Sequence, residues 1–272
     1  MKAARDVWKK KLVQADALQN GLHIFVLDQL GLTLPLNFKR TAFAVKLNDA
    51  RTRFDYDYHT PLFRSLRMMI EDGHYRVKSV GDICTTIEAG FAAGRGDQVY
   101  DGEGIPHVRP FNITPSGEFS LESIKYVPRE TTNKAKLLTK GELLFNNTNS
   151  TDWVGKTAVF DSNEVCTYSN HITKLVLKED VAEPYFIAAL FNALRAIGLF
   201  GLLSTNFNNQ AGISTQTLST LRIPLPSLEQ QMAIAAELKS RREAASQLRN
   251  EAVTEWETAK ARFEQNLLNT GV

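Results

Sequence analysis

The sequence predicts an α+β fold: a mixed, mostly β domain carrying a few helices, followed by a long C-terminal coiled-coil helix. Three observations predict it. Between Val77 and Pro226, short apolar runs alternate with loops rich in Gly, Asn, Ser and Thr, the texture of short strands and turns. From Ser227 to Thr270 the chain has neither proline nor glycine. Over that stretch Ile234, Leu238, Ala245, Leu248, Ala252, Trp256, Ala259, Phe263 and Leu267 recur at spacings of three, four or seven, one narrow apolar stripe on a helix.

The elements follow in order. Val7, Trp8, Leu12, Ala15 and Leu18 form a shorter helical stripe, stopped at Asn20-Gly21. An apolar segment, "IFVLDQLGLTLPL", follows and ends at Pro35. Thr41–Leu47 has strand-like content, and Asp49 is suited to cap a turn. Residues 62–70, "LFRSLRMMI", read as a helix preceded by Pro61 and closed near Gly73. In the β-rich stretch the runs "VKSVGDI", "IPHVRPFNI", "GELLFNN", "KTAVF" and "HITKLVL" are the strand candidates, and one helix interrupts them, begun by Pro184 and ended by Gly198. Leu221–Leu225 reads as a short edge or terminal strand, because Pro224 and Pro226 cannot donate to a ladder. Ser227 stands three residues before Gln230, a capping box, with Glu229 in the first turn. The helix so begun would run about 60 Å at 1.5 Å per residue. Three segments result: an N-terminal helix and connecting segment over 1–76, the β-rich domain over 77–226 and the long helix over 227–268.

A stripe this narrow on a helix this long needs a partner helix. It could lie across its own domain, but a coiled coil between molecules or domains suits its length better. The small residues Ala245, Ala252 and Ala259 permit close approach, and the N-terminal stripe is a candidate partner.

Composition restricts the function class. Hydrophobic residues make up 43% and charged residues 23%, ordinary for a soluble protein. No apolar run reaches the roughly 20 residues that span a bilayer, and "MKAARDVWKKKLVQ" lacks the apolar stretch of a signal peptide. Cys84 and Cys166 stand apart from each other and from any ligand-spaced histidine, which implies reduced core thiols, a cytoplasmic setting and no metal. Net charge is +2, with 13 Lys/Arg against 15 Asp/Glu in residues 77–226, so charge alone does not mark a nucleic-acid binder.

Catalytic signatures are absent. There is no GxxxxGK[ST], no GxGxxG after a strand, no HExxH and no GxSxG. The glycines of "AGFAAGRGD" read as a surface loop, and the five histidines are scattered. "LFNNTNS" approaches the Asn/Asp-Pro-Pro-aromatic turn of amino-directed DNA methyltransferases but lacks both prolines and the aromatic, so methyl transfer by this chain is rejected. What remains is a density of short polar side chains in three loops: "NNTNSTDWVGK" (146–156), "TYSNHITK" (167–174) and "STNFNNQAGIST" (204–215). Asn and Gln can bond adenine bidentately in the major groove and Arg can bond guanine, whereas Ser, Thr and Lys suit phosphates. The same residues also favour turns for purely local reasons.

A β-rich domain that closes on "LSTLRIPLPSLEQQMAIAAEL" and runs into a long helix resembles the specificity subunit of type I restriction–modification enzymes. "VKSVGDICTTIEAG" looks like the opening of that family's target-recognition domain. "HVRPFNITPSGEF", "KGELLFNNTNSTDWVGKTAVF" and "NNQAGISTQTLSTLRIPLP" resemble later segments in the expected order. The resemblance covers about residues 77–268. The family pattern has two recognition domains, each reading half of a split target, held apart by two long antiparallel helices. This chain has one such domain and one complete long helix. The resemblance therefore implies a half-subunit, encoded as such or part of a longer chain, that pairs with a second half through its helices.

It further implies recognition without catalysis and without a cofactor of its own. Double-stranded DNA, methyltransferase subunits that use S-adenosylmethionine, and a restriction subunit are the expected partners. The candidate DNA-facing residues are Arg95, Arg109, Asn112, Asn147, Asn149, Lys156, Asn170, His171, Asn206, Asn208, Asn209 and Gln210. Two rival readings are a coiled-coil interaction module without DNA specificity and a divergent DNA-modifying enzyme. Sequence-selective binding with a methyltransferase partner would exclude the first, and absence of cofactor binding or metal-dependent cleavage the second.

Overall fold

The structure, a computed structural model, describes residues 1–33, 42–51, 53–100, 103–131, 136–207 and 210–270. Helix α1 (Lys2–Asn20) is followed at once by α2 (Leu22–Gln29), and Gly21 between them keeps right-handed helical angles. The expected stop is thus only a brief interruption. The apolar segment beyond it is helical as far as Gln29, burying Leu22, Val26 and Leu27. The strand expected at Thr41–Leu47 is not found. Thr41 lies outside the described residues, Ala42 to Lys46 pair with no strand, and α3 (Leu47–Ala50) begins at Leu47. Alternating exposure without a partner edge does not make a strand. The side chain of Asp49 also lies outside the described residues.

Two capped helices complete this region. Asp55 accepts from Tyr58 N at 3.1 Å to start α4 (Tyr56–His59). Thr60 accepts from Phe63 N at 3.2 Å to start α5 (Pro61–Glu71), with Pro61 in its first turn as expected. α5 buries Phe63, Leu66 and Ile70, one face of the helix read at 62–70.

The "VKSVGDI" run is a strand only in its first half. β1 (Val77–Ser79) passes into α6 (Val80–Ile83), because Ser79 Oγ accepts from Asp82 N and the Asp82 carboxylate accepts from Ser79 N, both at 3.1 Å. β1 pairs antiparallel with β12 (Arg222–Pro224), Val77 opposite Pro224 and Ser79 opposite Arg222. Leu225 N donates to Arg76 O at 2.8 Å beside this pair. Leu221–Leu225 is therefore a two-stranded clasp where the chain enters and leaves the domain.

Among the described residues, three further sheets lie inside the clasp. A four-stranded antiparallel sheet has the order β2 (Cys84–Ala89), β9 (Ile172–Leu177), β5 (Leu143–Asn146), β7 (Thr157–Val159). A second has the order β4 (Lys125–Pro128), β3 (Gly104–Val108), β8 (Thr167–Tyr168), with β3 and β8 parallel. The third joins β10 (Thr205–Phe207), β11 (Gln210–Gly212) and β6 (Thr148–Asn149). The helix expected after Pro184 is α7 (Pro184–Ala196), closed by Gly198 at φ 82°. It is not alone: α6, α8 (Leu199–Leu203) and α9 (Thr215–Thr220) also lie in the β-rich stretch. These runs are too short for a helical period to show in the sequence.

Phe145, Phe191 and Phe200 meet edge to face, with centroids 5.2–5.9 Å apart, at the centre of the main core. Gly155, at φ 88°, lets the backbone pass this cluster: a Cβ there would fall 2.2 Å from the Phe200 ring. Leu22, Val26 and Ile70 from the N-terminal segment belong to the same core as Leu190 and Ile234, so packing crosses both segment boundaries. Cys84 and Cys166 are buried free thiols, as expected, and burial pushes each pKa up to about 12.

The last helix, α10 (Leu228–Thr270), starts on the expected capping box: Gln230 N donates to Ser227 Oγ at 3.3 Å and Ser227 N to Gln230 Oε1 at 3.2 Å. Buried Gln231 pins it to the domain, donating to Val181 O and Pro226 O and accepting from Glu183 N. The stripe then meets three surroundings. Ile234 and Leu238 enter the domain core. Ala245 and Ala252 are fully buried, and Leu248, Trp256 and Ala259 half-buried. Over this stretch antiparallel α1 lies alongside: Trp8 meets Trp256 with ring centroids 5.8 Å apart, Lys11 bonds Glu251 and Glu255, and Asp16 bonds Arg249. Phe263 and Leu267 remain about half exposed. The stripe is therefore not wholly a seam between molecules, because α1 of the same chain covers its middle. A double-mutant cycle of Trp8→Ala and Trp256→Ala, followed by urea unfolding, should give a coupling of about 0.5–1.5 kcal/mol. Additive effects would mean the rings do not meet.

Candidate nucleic-acid interface

Backbone hydrogen bonds link the polar loops into one band. Ser169 N donates to Val108 O at 2.9 Å, setting the turn with Asn170 and His171 beside Arg109 at the end of β3. Asn170 N donates to Phe91 O at 3.0 Å, which adds the loop leading to Arg95. The side chain of Arg95 lies outside the described residues. Asn147 N donates to His171 O at 3.0 Å, and Ile213 N to Asn147 O at 2.9 Å. Asn149 on β6 and Asn206 on β10 both register with Ala211 on β11, beside Gln210. Asn208 and Asn209 lie outside the described residues. These links place the segments of Arg109, Asn149, Asn170, His171, Asn206 and Gln210 next to one another; Asn149 and Asn206 take one face of the β10–β11–β6 sheet and Gln210 the other, and Asn170, Asn206 and Gln210 are exposed.

Three candidates turn inward. Asn147 is buried: its Nδ2 donates to Asn170 O at 3.0 Å and Thr173 Oγ1 at 2.9 Å, and its Oδ1 accepts from Thr148 Oγ1 at 2.8 Å. Asn112 is buried too, accepting from Arg109 N at 3.0 Å and donating to the carbonyls of Ser120 and Glu122. Such side chains hold the loops in place and have little hydrogen-bonding capacity left for a base. Lys156 is buried with its Nζ 5.2 Å from the Trp153 ring centroid. Burial first, and the nearby Arg195 second, lower its pKa to about 8.

Arg109 combines a backbone held by Asn112 with a guanidinium nitrogen that is unpartnered among the described residues. Its Nη2 is shielded and bonds to no described residue, and burial lowers its pKa. An N–H in that state has an unmet demand for an acceptor. Two residues earlier, buried His107 packs 4.9 Å from Phe91. Burial, then Arg109, lower its pKa to about 4, so it is neutral at pH 7 and adds no cation.

The structure adds residues that sequence reasoning missed. Phe111 is 75% exposed at the mouth of a groove of about 460 Å³ that also meets Asn149, Trp153 and Lys156. The Arg195 guanidinium lies 5.5 Å from the same Trp153 ring. Arg53, ion-paired with Asp55, donates to Ser204 O at 2.8 Å, and Asn206 Nδ2 lies 3.5 Å from Asp57 Oδ2, so residues 53–57 brace the foot of β10. The sequence signals were Trp153 and Lys156 within one polar loop and the charge density of "RFDYD". Among the described residues no group of His, Cys, Asp and Glu could hold a metal, and no helix is long and apolar enough to cross a membrane.

Comparisons with known proteins point the same way. The family profile of the type I restriction modification DNA specificity domain matches residues 73–254. A putative type I restriction enzyme MjaX specificity subunit from Methanocaldococcus jannaschii is 28% identical over 165 residues, covering 59% of this chain and 38% of that protein. A chain from a structure of type I R-M complex assembly and conformational transition superposes with a TM-score of 0.56 at 17% identity, covering 99% of this chain and 55% of the other. The HsdS subunit from Thermoanaerobacter tengcongensis gives 0.54 at 16% identity, covering 98% and 54%. The type I S subunit from M. genitalium gives 0.54 at 6% identity, covering 96% and 56%. At these identities the structural likeness concerns the fold. The chain spans just over half the length of these solved chains and less of the curated relative.

Proposed function

The chain belongs to the type I restriction–modification DNA specificity family, and on that premise we propose that its band of loops reads one half of a split double-stranded DNA target. The observation that supports this reading most is that backbone contacts bring the polar segments holding Arg109, Asn149, Asn170, His171, Asn206 and Gln210 together, with the Arg109 Nη2 lacking an acceptor among the described residues. Arg suits guanine and Asn or Gln suits adenine in the major groove. The chain itself is proposed to be non-catalytic and to bind no cofactor. It would dock methyltransferase subunits that use S-adenosylmethionine, and a restriction subunit, in the cytoplasm. A second half would pair along α10, where Phe263 and Leu267 offer apolar surface.

Near-neutral charge in residues 77–226 implies weak DNA affinity alone, strengthened by a methyltransferase's own basic surface. The test is co-expression with a methyltransferase subunit, followed by genome-wide mapping of methylated adenines. Gln210→Ala should relax or weaken one half-site by about 1–3 kcal/mol of discrimination. An unchanged motif with Asn206→Ala/Gln210→Ala would remove this surface from the reading.

A further inference from the structure

A cleft of about 470 Å³ lies where α10 meets the domain, enclosed by the α1–α2 junction, α7 and the segment around Pro115. Three arginines line it: Arg195 from α7, and Arg242 and Arg249 from α10, with His23 of α2 beside them. Among the described residues no carboxylate lines this cleft, although Arg242 also borders an adjacent cleft that holds Glu118, Asp161 and Glu243. Arg195 is held rigidly, its Nη1 donating to Asp152 O at 3.1 Å and its Nη2 to Pro115 O at 3.4 Å. That leaves its Nε, which is buried and has no partner among the described residues. The Nε of Arg242 is in the same condition. Neither arginine has an ion pair within 4.0 Å among the described residues, although Asp152 and Glu118 attract them at longer range. Arg249 sits in the wall already engaged, bonding Asp16 at 2.9 Å and Gln19 at 3.4 Å.

Two partly buried guanidinium groups that line one space with no ion pair among the described residues are better satisfied when something there accepts hydrogen bonds and carries negative charge. Water could satisfy the N–H groups and hydrate the charge, but it cannot neutralise it. A tetrahedral anion with several oxygens satisfies both, and the cleft has room for one. We propose that this cleft binds a phosphate group through Arg195 and Arg242, with Arg249 at its side, and that the bound group ties α10 to α7 and the α1–α2 junction. The phosphate belongs either to a small molecule or to a DNA backbone, and the inference does not depend on the loops reading bases.

The experiment titrates the full chain with inorganic phosphate by calorimetry at constant ionic strength, with chloride as reference, and in parallel with a labelled DNA duplex. Phosphate should bind, and Arg242→Gln should weaken it by about tenfold or more, the loss expected for a charge-assisted hydrogen bond. Lys239→Gln, a charge removed from the exposed neighbouring surface, should leave binding unchanged. Circular dichroism and thermal melting check folding, and Arg249→Gln replaces Arg242→Gln if the latter does not fold. Loss of phosphate binding with duplex affinity intact identifies a small-molecule source, and loss of duplex affinity identifies the backbone. Absence of phosphate binding together with a duplex affinity indifferent to Arg242, or equal losses with Lys239→Gln, overturns the proposal.

Discussion

Asn147→Ala is expected to lower the stability of the domain by about 1–3 kcal/mol, because it removes three hydrogen bonds, one of them to the buried Thr173 hydroxyl. The Asn170 carbonyl and the Thr173 and Thr148 hydroxyls would each lose a hydrogen bond, and buried Thr173 has little access to water to replace it. Urea unfolding reads the loss as a shift in midpoint at constant slope. In whatever folded protein remains, the methylated motif should not change. A stable variant with an altered motif would place Asn147 on the reading surface instead of beneath it.

Arg109→Gln should do the opposite. The guanidinium has an N–H that is shielded and unpartnered among the described residues, so removing it should leave stability unchanged or slightly higher. Methylation at the native target should nevertheless fall, by about 1–3 kcal/mol of base discrimination, if Arg109 bonds a guanine. Co-expression with a methyltransferase subunit and motif mapping measures this. A variant that loses stability as Asn147→Ala does, with its motif intact, would make Arg109 a structural residue. The pair is informative because the sequence marked both side chains as DNA-facing candidates, Arg109 in the run "IPHVRPFNI" and Asn147 in the loop "NNTNSTDWVGK".

What was legible follows from how local each signal is. Ser227 and Gln230 start α10 through contacts three residues apart, and the 43-residue helix carries its own period, so both could be read directly. The same holds for Pro184, Gly198 and the α5 stripe. The expectation failed at 77–83 because a capping box between Ser79 and Asp82 overrides an apolar run too short to show a period. It failed at 41–47 because a strand depends on a neighbour that sequence reading cannot supply. At the candidate interface the chemistry of the side chains was legible but their direction was not. Asn149 and Asn147 are two residues apart, yet Asn147 spends its amide on Asn170 and Thr173, contacts 23 and 26 residues away. Trp153 and Arg195 meet across 42 positions, which no local pattern signals. The partner of the long stripe was likewise a question of tertiary contact: α1 was a candidate on pattern, and the Trp8–Trp256 and Lys11–Glu251 contacts make it the one that covers the middle of α10.

The β1–β12 clasp has a consequence for transplantation. Because residues 77–79 run alongside residues 222–224, the domain departs from the helical frame and returns to it at a single point. A foreign domain of different size could be grafted between those strands without altering the separation of α1 and α10. The graft would nevertheless have to bring a compatible α7, since Leu22 and Val26 share a core with Leu190 and Leu194. Cutting at the clasp alone would expose that apolar patch, so chimaeras that also exchange α2 should be the soluble ones.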